Sequence, residues 1–315
     1  MTTDHSTGAV RPAHSRRTRE ALEAAGLHGG FFEMRGGPAT AFPPADGWRA
    51  LADLYDPTRP RELAERVAHV GGRLGTDRWR VAASVFAQGL AARLCSPLIA
   101  CAAQDGLVPE LDPRRVLWRV PPGGSLELGL RWAGEGPAGR APAPDLPPAE
   151  AMRLVVDVVR EELVDRHLAP LGAALRAQGA ISERVLLGNA ASAVAAAARL
   201  LGASAHLTGH GDPLGPPGGD LAARAWRIAH GLLTAPPFDG LGRLAVPAGA
   251  LPGIPAGRAG GGAGAGGGGR STDAAGTPPD GAFYRRHSCC LYHLVPATPC
   301  GDCVLHAPGR PRGRQ

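Results

Sequence analysis

The 315 residues are 44% hydrophobic, enough to supply a core, whereas aromatic residues make up only 4% and the 46 glycines and 31 prolines leave part of the chain unsuited to packing. The formal charge is +6, and all 34 basic residues are arginine. These arginines are spread along the chain and not interleaved with aromatics, which argues against a nucleic-acid binder, while a basic surface suits an acidic electron-transfer partner.

Residues 1–20 are polar and without periodicity, and disorder is expected there. Arg16 and Arg17 follow a serine, as in a twin-arginine signal, but Arg19, Glu20 and Glu23 come next in place of an apolar run, so no export signal is predicted. The longest uncharged apolar run, between Arg184 and Arg199, is mostly alanine and too short to span a bilayer. The expectation is a cytoplasmic chain without an integral membrane span. In that compartment thiols stay reduced, and clustered cysteines bind metal more often than they pair.

A mainly helical domain is predicted over residues 21–246. From Asp77, Trp79, Val81, Val85, Phe86, Leu90 and Leu94 recur at helical spacing until Ser96 and Pro97 kink or end the helix. The period then changes to two. Val116, Trp118 and Val120 alternate, Pro121 to Gly124 make a turn, and Leu126, Leu128, Leu130 and Trp132 alternate again, which predicts a β-hairpin with one buried face. Gly134 to Pro148 reads as a surface loop, with Pro148 opening a helix that turns Met152, Val155, Val156, Val159 and Leu163 inward and Arg160, Glu161 and Glu162 outward. Ser182 is a candidate N-cap for an alanine-rich helix running to Leu201. Asp220 is a candidate cap for another helix, with Leu221, Ile228, Leu232 and Leu233 inward. The predicted class is mainly α (α+β): a helical domain with a small β-hairpin, plus a short C-terminal segment that carries clustered cysteines.

Residues 247–281 consist largely of Gly, Ala, Pro and Thr, and nothing in them can build a core. A flexible linker is predicted, with an end-to-end distance on the order of 30 Å. Gly264, Gly266 and Gly269 spell a dinucleotide-binding fingerprint, but with no strand before it and no helix after it the match is an accident of poly-glycine.

Four of the six cysteines, Cys289, Cys290, Cys300 and Cys303, fall in the segment 282–307, ahead of a tail, 308–315, expected to be disordered. Clustered thiolates suit a soft metal, and the Cys300-Gly301-Asp302-Cys303 turn can place two sulfurs on one metal. Adjacent cysteines point to opposite faces of an extended strand, so Cys289 and Cys290 need a bent loop to approach one group. A two-iron cluster, with its metals several ångströms apart, accommodates such a pair, and a structural four-cysteine zinc site in a non-catalytic binding or scaffold protein is the alternative that the spacing leaves open. His287, His293 and His306 flank the cysteines, yet four thiolates already complete a ligand shell. His206 and His210 have helical metal spacing in what the neighbouring Gly209, Gly211 and Pro213 predict to be a loop. Cys95 and Cys101 are expected to be buried small hydrophobes.

The string from Phe283 through Arg286, Cys289 and Cys290 to Tyr292, followed by Pro296 and by Cys300-Gly301-Asp302-Cys303-Val304-Leu305, resembles the C-terminal end of the FhuF-like ferric-siderophore reductases. Ser84, Gln88-Gly89, Ala91-Ala92-Arg93-Leu94, Ser96-Pro97 and Gly188-Asn189-Ala190-Ala191-Ser192 are similar to the helical signatures of the same family. The resemblance implies a 2Fe-2S cluster on Cys289, Cys290, Cys300 and Cys303, and one-electron reduction of siderophore-bound ferric iron. It also implies a siderophore-binding role for the helical domain and an electron-donor protein or reductase as partner, with a hydroxamate siderophore as the expected substrate. Arg93 and Asn189 are candidates either to bind the siderophore or to support the fold. Nine residues separate Cys290 from Cys300, where the family usually has ten.

Overall fold

The computed structural model describes residues 10–208, 219–245, 283–295 and 302–305, and within them the chain is mainly helical with small sheets. Strand β1 (Val10–Ala13) leads into α1 (Ser15–Gly26), followed by β2 (Arg35–Gly37), β3 (Arg49–Ala50), the short α2 (Leu51–Tyr55), α3 (Pro60–Leu74) and the long α4 (Trp79–Asp105). Next come β4 (Val108–Pro109), β5 (Val116–Arg119), β6 (Glu127–Arg131) and β7 (Gly139–Pro142). Helix α5 (Pro148–Arg160) continues through a π-helical stretch, Glu161–Leu168, into α6 (Ala169–Gln178). Helices α7 (Glu183–Thr208) and α8 (Gly219–Leu233) and strands β8 (Gly242–Ala245) and β9 (Phe283–Arg286) complete the described elements.

Residues 10–20 are ordered, contrary to the expected disorder. Strand β1 pairs antiparallel with β7, Val10 opposite Pro142 and Ala13 opposite Gly139. Thr18, Ala21, Leu22 and Ala25 are buried at i, i+3, i+4 and i+7 of α1, a narrow stripe that the intervening charged residues mask in the sequence. Residues 1–9 and 308–315 lie outside the described residues, as does the linker expected over 247–281.

Helix α4 begins near the predicted start but runs through Pro97 to Asp105, where Gly106 closes it at φ 64°. Proline removes the N–H that would reach the carbonyl four residues back. Beside it, Ser96 Oγ donates to the Ala92 carbonyl at 2.7 Å. Leu90, Leu94, Leu98, Ile99 and Cys101 are all fully buried, and α4 packs against α1, α3, α7 and α8. Burial on every side holds the helix together across the proline, overriding the local signal. Helix α4 and residues 183–204 of α7 are long and apolar enough by length and composition to cross a membrane, longer than the sequence run suggests, and 72% of each apolar window is buried inside the fold.

The hairpin forms as predicted, with Val116 opposite Leu130 and Trp118 opposite Leu128. Gly124 N–H donates to the Pro121 carbonyl at 2.9 Å, and Gly123 takes the positive φ of 71° that the third position of a type II turn requires. The hairpin is the centre of a four-stranded sheet ordered β2-β6-β5-β3, and both of its faces are covered. Leu117 packs with Phe42 and Trp48 on the face expected to meet solvent, and Gly129 leaves room there for the Phe42 ring. The predicted surface loop contains β7, which lies between β1 and β4 in a second sheet.

Helix α5 opens on Pro148 as expected, but Glu162 is fully buried, not outward. The π-helical stretch widens the turn there and carries Glu162 and His167 inward. Glu162 Oε2 accepts from the Leu111 N–H at 2.8 Å, and its Oε1 accepts from Arg140 Nη2 at 2.5 Å. His167 bridges the Tyr55 hydroxyl at 2.9 Å and the Leu111 carbonyl at 2.7 Å. The alanines of α7 let it pack closely against α4 and α8. Leu221, Ile228, Leu232 and Leu233 of α8 are buried as predicted.

Candidate metal centre

Strands β8 and β9 pair antiparallel, Gly242 opposite Arg286 and Ala245 opposite Phe283, and bring the cysteine-bearing segment back onto the helical core. His287 extends the anchor, its N–H donating to the Leu241 carbonyl at 2.8 Å and its Nδ1 lying 3.1 Å from the Gly240 carbonyl. Gly242 has no Cβ because the Tyr284 phenol occupies that space. Beyond β9 the chain bends sharply. Leu291 adopts the left-handed region at φ 67°, and a 3-10 turn follows over Tyr292–Leu294. This bend supplies the loop that the adjacent cysteines require, and the Leu291 N–H donates to Cys289 Sγ at 3.3 Å.

Cys290 and Cys303 are buried, and Cys289 is partly exposed. Burial pushes the Cys289 thiol up, the Leu291 N–H pulls it down, the Cys290 and Cys303 charges raise it further, and Arg286 lowers it. His293 Nδ1 lies 3.0 Å from Cys289 Sγ. Cys300 lies outside the described residues, as do His210 and His306, and nothing is described of the His206 side chain. Among the described residues, no three His, Cys, Asp or Glu side chains form a group that could hold a metal ion.

What fixes the cysteine turn is a buried polar chain that runs into the helices. Ser84, on α4, donates its hydroxyl to the Cys290 carbonyl at 2.7 Å. Asn189, on α7, donates Nδ2 to the Ser84 carbonyl at 2.9 Å and to its hydroxyl oxygen at 2.8 Å. The other end of that amide, Oδ1, accepts from Arg286 Nη2. The Arg286 N–H in turn donates to the Asp302 carbonyl at 3.5 Å, and an Asp302 carboxylate oxygen accepts from the Ser192 hydroxyl. Ser288 Oγ donates to the Arg184 carbonyl at 3.4 Å and fills the space where a Cβ on Gly188 would lie.

Arg286 is fully buried, and its Nε and Nη1 have no hydrogen-bond partner among the described residues. A buried guanidinium needs an anion or further acceptors. Cys289, Cys290 and Cys303 lie on the segment that Arg286, Asn189 and Ser84 anchor, and the chemistry of such a thiol set beside an unsatisfied cation fits an anionic, thiolate-bound group such as a 2Fe-2S cluster. Arg286 is a residue that the cysteine motif alone did not single out. It shares the inward face of β9 with Tyr284, two positions earlier, whose buried hydroxyl is pushed up to about 12 by burial.

The two residues considered for siderophore contact are not brought together. Asn189 is buried, and its amide is engaged by Ser84 and Arg286. Arg93 lies nine residues beyond Ser84 on α4, about 13.5 Å along the axis and half a turn round it. Its guanidinium stacks 4.9 Å from the ring centroid of the exposed Phe31. Cys95 and Cys101 are buried in the helical core, as expected from their apolar neighbours.

Residues 84–239 match the family described as ferric iron reductase FhuF-like transporter. The chain belongs to the FhuF-like family. The stretch matched in this FhuF-like protein opens on Ser84, contains Asn189 and Ser192, and ends before the C-terminal segment in which Ser84 meets Cys290, Asn189 meets Arg286 and Ser192 meets Asp302. No curated protein matches the sequence. Among solved structures, the aerobactin synthetase IucC from a hypervirulent pathotype of Klebsiella pneumoniae aligns at 13% identity and a TM-score of 0.37, over 51% of this chain and 30% of that one. That likeness is too distant to define the fold, and the aligned part is less than a third of the synthetase.

Proposed function

We propose that this FhuF-like chain is a cytoplasmic reductase of ferric siderophores, with hydroxamate siderophores as the favoured substrates. The observation that carries the reading is the contact between the family-matched helices and the cysteine turn. Ser84 and Asn189 are committed to positioning Cys290, so the helical domain is built to support whatever the cysteines hold.

Cys289, Cys290, Cys300 and Cys303 are the residues that would hold a 2Fe-2S centre, which supplies single electrons at low potential, about −400 mV for an all-thiolate plant-type centre. Burial of Cys290 and Cys303 keeps water from that side of the site, while the partly exposed Cys289 marks the edge nearest solvent, where substrate and an electron-donor protein would approach. The hard oxygen donors of a siderophore hold ferric iron far better than ferrous iron, so adding one electron turns a locked complex into an exchangeable one. Ferric to ferrous is a one-electron change, matched to a donor of single electrons.

The test is the visible absorption spectrum of the anaerobically purified chain together with its iron and acid-labile sulfide content. A red-brown protein with about two iron and two sulfide per chain is expected. A colourless protein carrying zinc would contradict the reading.

A further inference from the structure

We propose that Arg286 is the cation that faces the cysteine-bound centre, donating guanidinium N–H groups to its anionic sulfur and thereby setting how readily it accepts an electron. The inference rests on the reductase reading above and deepens it.

Arg286 has no exposure to solvent, and it takes part in none of the ion pairs among the described residues. Among the described residues its one side-chain hydrogen bond goes to a neutral amide, Asn189 Oδ1, and Nε and Nη1 are buried without partners. A protein-only site of this kind is unfavourable, because a desolvated charge needs an opposite charge or a full set of acceptors. The neighbouring groups are the cysteines. The Arg286 side chain reaches the Cys290 carbonyl through Asn189 and Ser84, and its backbone is joined to Asp302, the residue before Cys303.

The guanidinium is also held in place. Asn189 is fixed by two hydrogen bonds to Ser84, and Ser84 is fixed to the Cys290 carbonyl, so the cation and the cysteine turn are positioned by one buried chain of contacts. A glycine at 188 keeps the space beside Arg286 Nη2 and Ser288 clear. Reduction adds a negative charge to a thiolate-ligated cluster. A fixed positive charge with N–H donors to sulfur favours that reduced form and raises the potential.

Wild type, Arg286→Gln and Arg286→Lys are loaded anaerobically and titrated with redox mediators, the reduced form being followed by EPR. In Arg286→Gln the reduced-to-oxidised ratio at a fixed ambient potential is expected to fall roughly tenfold or more, at about 59 mV per factor of ten for one electron. Arg286→Lys keeps the charge and loses the fork, and is expected to fall between the two. A loaded Arg286→Gln protein with the wild-type midpoint overturns the proposal. If that variant does not fold or load, wild type labelled with guanidino-15N arginine gives a second readout. A 15N hyperfine coupling to the reduced cluster, retained in Arg285→Gln, is expected, and its absence overturns the proposal. A wild-type chain that takes up zinc in place of iron and sulfide removes the reductase reading and this one together.

Discussion

Ser84 and Cys290, 206 positions apart in sequence, are joined by a 2.7 Å hydrogen bond from the Ser84 hydroxyl to the Cys290 carbonyl. The bond is made to the backbone and fixes the stretch of chain that carries the cysteine sulfur. One residue in the helical core thus sets the position of a ligand candidate in the C-terminal segment.

Ser84→Ala should loosen that turn. It leaves the Cys290 carbonyl and one Asn189 donor bond unmade in a buried place, at a cost of about 1–3 kcal/mol. The expected outcome is a lower melting temperature and faster loss of iron to a chelator, with the helical circular dichroism unchanged. Iron release at the wild-type rate would show that the turn is held by other contacts.

Replacing any one of Cys289, Cys290, Cys300 or Cys303 by serine should remove most of the iron and sulfide, because the loss of one thiolate leaves an iron under-coordinated. Alanine at Cys95 or Cys101, both deep among the helices, should leave the cluster content intact. Full content in both Cys289→Ser and Cys303→Ser would sink the ligand assignment.

The core thiols should also be chemically silent. Burial pushes Cys95 up to about 12 and Cys101 up as well, so neither supplies thiolate at neutral pH. Alkylation of the native chain followed by peptide mass mapping should label neither until denaturant is added. Labelling of either under native conditions would contradict the packing of α4.

Acid should weaken the fold through His167. Burial lowers this imidazole from 6.5 to about 4, with the Arg166 charge acting in the same direction and the Leu111 carbonyl and Asp112 opposing, while the Tyr55 hydroxyl occupies Nδ1. The unfolded chain takes up this proton below about pH 6.5, whereas the folded chain does so only near pH 4, so stability falls as pH drops across that window, by up to about 3 kcal/mol. Glu162, raised by burial, acts in the opposite sense, favouring the fold at lower pH. Melting temperatures at pH 7 and pH 4.5 should therefore differ more in wild type than in His167→Gln. An equal difference in the two proteins would exclude His167 as a source of the pH dependence.

Much of this architecture is legible in the sequence wherever one period dominates. The alternation around Val116 and Leu128 gives the hairpin, and Pro148 gives the start of α5. Where local and tertiary signals compete, the sequence misleads. Pro97 carries a stop signal that burial on all sides of α4 overrides, and Glu162 lies on the polar side of an ideal helix until the π-helical stretch turns it inward. Residues 10–13 find their order only in β7, far along the chain. At the candidate site, the bunched cysteines are visible as a motif. The support of Cys290 by Ser84, and of Arg286 by Asn189, joins positions about a hundred or more residues apart and becomes apparent only in the fold.

The proposed activity is delivery of an electron by this FhuF-like chain to siderophore-bound ferric iron. The direct measurement mixes the dithionite-reduced protein anaerobically with a ferric hydroxamate siderophore and a ferrous chelator, following the visible spectrum of the protein and of the trapped ferrous complex. Reoxidation of the protein with about one ferrous ion trapped per cluster is expected, and none with a variant lacking the cysteines. A protein that stays reduced alongside intact ferric siderophores of several chemical classes, while a small redox dye oxidises it readily, would contradict it.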